Sequence, residues 1–179
     1  MKSLEREELK QLLLKCWMTH DAMWFRHCVE VCGIEQTNRI NKAAVRSMAA
    51  IEIRRLTKAL GVGEVRSMDT LRELIEAALQ LIKADFMEFT YSYPAPTLMR
   101  WDVRRCFAFD GVTQLGVADQ YQCGIFPRVE AWFDALGIKY TVTPAVGGFH
   151  DAERWEVFPG VHVHLRRRGP SMSRGKAAE

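Results

Sequence analysis

Asp21 stands where a leucine would be expected. Around it, Leu13, Leu14, Trp17, Trp24, Phe25, Cys28, Val31 and Cys32 form a wide apolar stripe at helical spacing, and Asp21 falls near its middle. An ionised carboxylate buried there costs several kcal/mol, as an order of magnitude, unless something pairs with it. The answering group is expected to be an arginine, a metal ion or a proton. A second carboxylate, Glu52, lies with Asn41 and Arg55 on the apolar face made by Ile40, Ala44, Val45, Met48, Ile51, Leu56 and Ala59. Three arrangements follow. In one, Asp21 or Glu52 pairs with Arg55 and locks two helices, since the guanidinium fork suits a carboxylate. In another, His20, Asp21 and Glu52 hold a divalent metal such as zinc, manganese or iron, as in carboxylate-lined bundles. In the third, a polar pocket grips a small substrate through Arg55 or Asn41, with Trp24 and Trp101 as walls.

The cysteines offer a different chemistry. Cys123 precedes Gly124 just ahead of a helix opened by Pro127, and Arg128 adds positive charge. A thiol so placed can have its pKa lowered, making it a nucleophile or a metal ligand. Cys106 ends an expected strand. Cys28 and Cys32, four apart, read as small buried hydrophobes. His27 lies seven residues from His20, too far along the axis to share one ion. His162 and His164 share one strand face.

The elements that position these residues are legible in outline. The first helix runs from about Leu4 to Cys32 and stops at Gly33; the second runs from about Glu35 to Leu60 and stops at Gly61. A third follows Ser67. The period then shortens to two over Met87, Phe89, Tyr91 and Tyr93, and again from Met99 through Trp101 and Val103 to Phe107 and Phe109, which predicts a strand pair. A helix follows Pro127 and closes at Gly137. Strands are expected over Ile138 to Thr143 and through Val161, Val163 and Leu165, with a long loop from Pro144 to Gly160. Helices first and strands later predict an α+β fold with an antiparallel sheet and one inserted helix. The divisions expected are a helical part over 1–84, a sheet and helix over 85–168 packed with it as one domain, and a disordered basic tail over 169–179.

The 179 residues are enough for one domain with a core, and the 48% hydrophobic and 26% charged composition is that of a soluble globular protein. No apolar run spans a membrane, and the charged N-terminus lacks the core of a signal peptide, so a cytoplasmic location is expected. Five cysteines without a scaffold pattern fit a reducing compartment. The net charge of +3 owes much to Arg166, Arg167, Arg168, Arg174 and Lys176, so a nucleic-acid partner is not expected. Eight methionines and five tryptophans leave room for the apolar face of a homodimer.

The segment Thr19-His20-Asp21-Ala22-Met23-Trp24-Phe25, followed by Asn41, Ile51-Glu52, Arg55-Leu56, Cys106, Gly111, Gly116 and Cys123, resembles an uncharacterised group of bacterial and archaeal cytosolic proteins. That group is similar to the L-2-amino-thiazoline-4-carboxylic acid hydrolase family. The likeness covers roughly residues 10 to 165. Ala22 departs from a common glycine, and Gly124-Ile125-Phe126-Pro127 from a lysine-bearing turn. The resemblance implies a small-molecule hydrolase and adds weight to Asp21, Glu52 and Cys123. The expected reaction is hydrolysis of a C–N bond in a cyclic or amide-like substrate, with Asp21 or Glu52 as general base or metal ligand, Arg55 on a substrate carboxylate and Cys123 as nucleophile or thiolate ligand. The alternative is a non-catalytic accessory or sensor protein in which the same cluster holds a small ligand or a metal.

Overall fold

Gly33 divides the longest helix. In the computed structural model, which describes residues 2–142 and 158–164, helix α1 (Arg6–Ala59) is broken at Gly33, whose φ of 75° and ψ of 167° lie outside helical space. That backbone is nearly exclusive to glycine. The Thr37 hydroxyl donates to the Gly33 carbonyl at 2.7 Å and starts the second arm. Trp17 and Glu52 stand about 24 Å and 28 Å from the break at 1.5 Å per residue. Yet both touch the guanidinium of Arg128, so the two arms double back on one another.

Helix α2 (Met68–Ile82) starts at Ser67, whose hydroxyl accepts the Thr70 N–H. Leu71, Leu74, Ile75, Ala78, Leu79 and Ile82 recur at helical spacing and are buried. Strands β1 (Glu88–Ala95) and β2 (Leu98–Arg105) form a hairpin, with Phe89 opposite Val103 and Tyr91 opposite Trp101. Helix α3 (Phe107–Gln114) and helix α4 (Ile125–Ala135) follow, then β3 (Lys139–Val142) and β4 (Phe158–His164). The strands make an antiparallel sheet in the order β1-β2-β4-β3, and the α+β expectation holds.

Two apolar cores result. The larger joins Ala49 and Ile53 of α1 to α2, to Phe89, Met99 and Trp101 of the sheet, and to Val129, Trp132 and Phe133 of α4. The smaller, nearer the Gly33 break, gathers Phe25, Val112, Tyr121 and Cys123. Asn38 ties the second arm of α1 to the segment before α4, donating to the Gln120 carbonyl at 2.8 Å and accepting the Gln122 N–H at 3.1 Å.

Three expectations need correction. Phe107 and Phe109 belong to α3, not to a strand: their alternation ends where Cys106 caps a short helix. The buried side of the first arm is narrower than the stripe implied, since Leu13 and Val31 are exposed. The buried side of the second arm is rotated, so that Thr37, Asn38, Ala49 and Ile53 lie inward while Ile51 and Arg55 face water. The expected basic tail and the expected loop up to residue 157 lie outside the described residues, as do the side chains of His162 and His164, while residues 158–160, expected in that loop, belong to β4.

Candidate functional site

Between the two cores lies a cavity of about 350 Å³. Both arms of α1, the end of α2, β1, β2 and the starts of α3 and α4 line it. Its surface is mainly apolar: Trp17, Trp24, Val45, Met48, Phe89, Trp101, Val103 and Phe107 contribute, and Asp21, His20, Asn41, Arg105 and Arg128 supply charge and polarity. Trp101 is buried in the wall, and its indole N–H has no hydrogen-bond acceptor among the described residues.

Asp21 is on this wall. Its helix places it one turn after Trp17 and one turn before Trp24, so all three reach the same space. It accepts no hydrogen bond and joins no ion pair among the described residues. The expectation of a hidden, directly paired carboxylate is therefore corrected: the side chain is open to the water of the cavity. Enough protein still surrounds it for desolvation to raise its pKa above the ordinary carboxylate value, against the opposing fields of His20 and Arg128.

Glu52 meets the expectation of a buried carboxylate, with a different partner. Arg128 forks onto it, Nε to Oε2 at 3.0 Å and Nη2 to Oε1 at 2.5 Å, and the Trp132 indole N–H adds a bond to Oε2 at 2.9 Å. Both side chains of the pair are only 11% exposed. Arg128 also packs over the Trp17 ring at 5.3 Å. One guanidinium thus joins both arms of α1 to α4. Arg55, expected in this role, is exposed and off the cavity wall. The exposed Arg46 reaches α4 through Glu130 and, at 3.4 Å, Asp134.

Among the described residues, no three His, Cys, Asp or Glu side chains come together as a metal site requires. His20, Asp21 and Glu52 do not form one, since both Glu52 oxygens face Arg128 and Trp132. Asn41 and Trp24 line the cavity as expected, and Gly124 packs so closely on the Asn41 amide that a Cβ there would stand 3.2 Å from Nδ2.

Cys123 lies just before α4, as read from the sequence, but burial decides its chemistry. The Ile125 N–H reaches Sγ at 3.3 Å and favours the thiolate, yet desolvation outweighs it and pushes the pKa up to about 12. Cys106, on the cavity wall, is likewise raised by burial. Iodoacetamide at pH 8 is expected to label the exposed Cys16 and Cys32 and to spare Cys123, whose thiolate fraction there is about one in ten thousand. Peptide mass mapping reads this out; fast labelling of Cys123 in the folded protein would contradict it. The unfolded thiol ionises near 9 and the folded one near 12, so this group's stabilisation is complete below pH 9 and is lost as pH rises toward 12.

Sequence reasoning missed Arg128 and Trp132 as a unit. A signal existed: Arg128 sits one turn ahead of Trp132, next to Val129 on an apolar face, as Asp21 does in α1.

The chain matches a family described as a family of unknown function (DUF6125) over residues 2–91, and it belongs to that family. The matched span carries α1, α2 and the start of β1, hence Asp21, Asn41 and Glu52, and ends before Arg128. No curated protein and no solved structure matches the chain. Nothing found links the family to the L-2-amino-thiazoline-4-carboxylic acid hydrolase family. No helix among the described residues is long and apolar enough to cross a membrane.

Proposed function

We propose that this protein binds a small, largely apolar molecule in the cavity between the arms of α1 and the sheet. The observation that carries the reading is the cavity: its size, its aromatic and aliphatic walls, and a few polar groups that converge on it. Support comes also from the frame around it. The Glu52–Arg128–Trp132 lock and the Asn38 bonds fix α4 and the segment before it against α1. A preorganised cavity loses less entropy on binding than one that must form.

A bulky ring introduced at Ala44, which lines the cavity, tests this reading. Fragments that bind the natural protein in ligand-observed NMR are expected to lose at least about tenfold in affinity toward Ala44→Trp. Equal binding to both proteins, or no fragment binding at all, would remove the proposal.

Hydrolysis of a C–N bond is the second reading, and Asp21 favours it. A carboxylate with a raised pKa on a cavity wall is suited to take a proton from water. Glu52, held by Arg128, and Cys123, held as a thiol, add nothing to that chemistry. Turnover of a bound fragment that Asp21→Asn abolishes would favour the enzyme; binding without turnover favours the binding protein.

A further inference from the structure

The titratable and charged groups on the cavity wall include His20, Asp21, Arg105 and Arg128. Arg128 is matched by Glu52 and Arg105 by Asp110, the latter at 3.2 Å. Asp21 has no such match: the fields of His20 and Arg128 reach it, but no donor touches it among the described residues. Its neighbours along the helix are the rings of Trp17 and Trp24. Trp17 already takes the Arg128 cation on its face, whereas no cation stands over Trp24 among the described residues. A carboxylate beside an indole face is what an ammonium group needs, since charge, hydrogen bonding and the ring quadrupole all act in the same direction. The remaining walls, among them Val45, Met48 and Phe89, suit a flat apolar body.

We propose that the ligand is an organic primary amine on an aromatic body, its ammonium held by Asp21 against Trp24 and its ring lodged between the arms of α1 and the sheet. This rests on the cavity reading above and specifies the class of molecule that fills it. The matched cations on the wall argue against a carboxylate ligand, which would have to compete with Glu52 for Arg128.

Three probes of similar size decide it by calorimetry at pH 7 on the full chain: 2-phenylethylamine, 2-phenylethanol and phenylacetate. The amine is expected to bind at least about tenfold more tightly than the other two, and Asp21→Asn to erase that preference while the alcohol binds as before. Equal binding of amine and alcohol, both weakened by Ala44→Trp, would overturn the amine assignment and leave the cavity reading standing. No binding by any probe would overturn both. The comparison among probes on the natural protein needs no variant, so a folding defect in Asp21→Asn does not blunt it.

Discussion

Arg128→Ala is expected to lower the free energy of unfolding by about 3–5 kcal/mol, the cost of leaving a buried carboxylate without its counter-ion. Glu52 has only 11% of its side chain exposed, and in this variant only the Trp132 N–H would still bond it. The loss also removes the contact of the guanidinium with Trp17, and with it a tie between the arms of α1. The pair itself is not expected to be the source of net stability. Desolvating two charges offsets much of their attraction, so the double replacement Glu52→Gln with Arg128→Met should cost far less than the single one. Urea titrations of the two variants beside the natural protein measure this. A single-variant cost under about 1 kcal/mol would mean that Glu52 is wet enough to stand alone.

Trp132→Ala is expected to cost a similar amount, about 3–5 kcal/mol, for a different reason. Trp132 is completely buried in the larger core, between the second arm of α1 and the sheet, and truncation opens a cavity that its neighbours fill only in part. Trp132→Phe separates the two contributions. It keeps most of the packing and removes the N–H bond to Glu52, so a smaller loss, about 1–3 kcal/mol, is expected. Because Trp132 and Arg128 share Glu52, their effects should not add. Thermal or urea unfolding reads out all of these. An alanine variant as stable as the natural protein would contradict the packing described.

Local signals in the chain carried most of the fold. Gly33 and Ser67 marked a break and a start because each meets a local backbone need, Gly33 through its positive φ and Ser67 through its hydroxyl cap. The hairpin was legible from the alternation of Phe89, Tyr91 and Tyr93 with polar neighbours. Helix α3 was not, because eight residues hold too few turns for a helical period to outweigh the alternation of Phe107 and Phe109.

The candidate site divides in the same way. Glu52 was legible as a buried carboxylate, since the helix projection depends only on neighbours in sequence. Its partner was not: Arg55 and Arg128 are equally arginine, and only the docking of α4 against α1, 76 residues on, selects Arg128. Asp21 was legible as an anomaly, and its cavity was not, because the cavity is made by elements from distant parts of the chain. Cys123 shows a local cue outweighed: helix-start N–H groups favour the thiolate, and tertiary burial reverses the result.

The most direct measurement of the central claim is a ¹H–¹⁵N correlation spectrum of the tryptophan indole N–H groups during addition of 2-phenylethylamine. Trp17, Trp24 and Trp101 line the cavity, while Trp132 stands in the core behind Arg128. Saturable shifts in the three wall indoles, with Trp132 moving least, are the predicted result. Unmoved wall indoles, or shifts largest at Trp132, would place the ligand elsewhere and leave the cavity without a function.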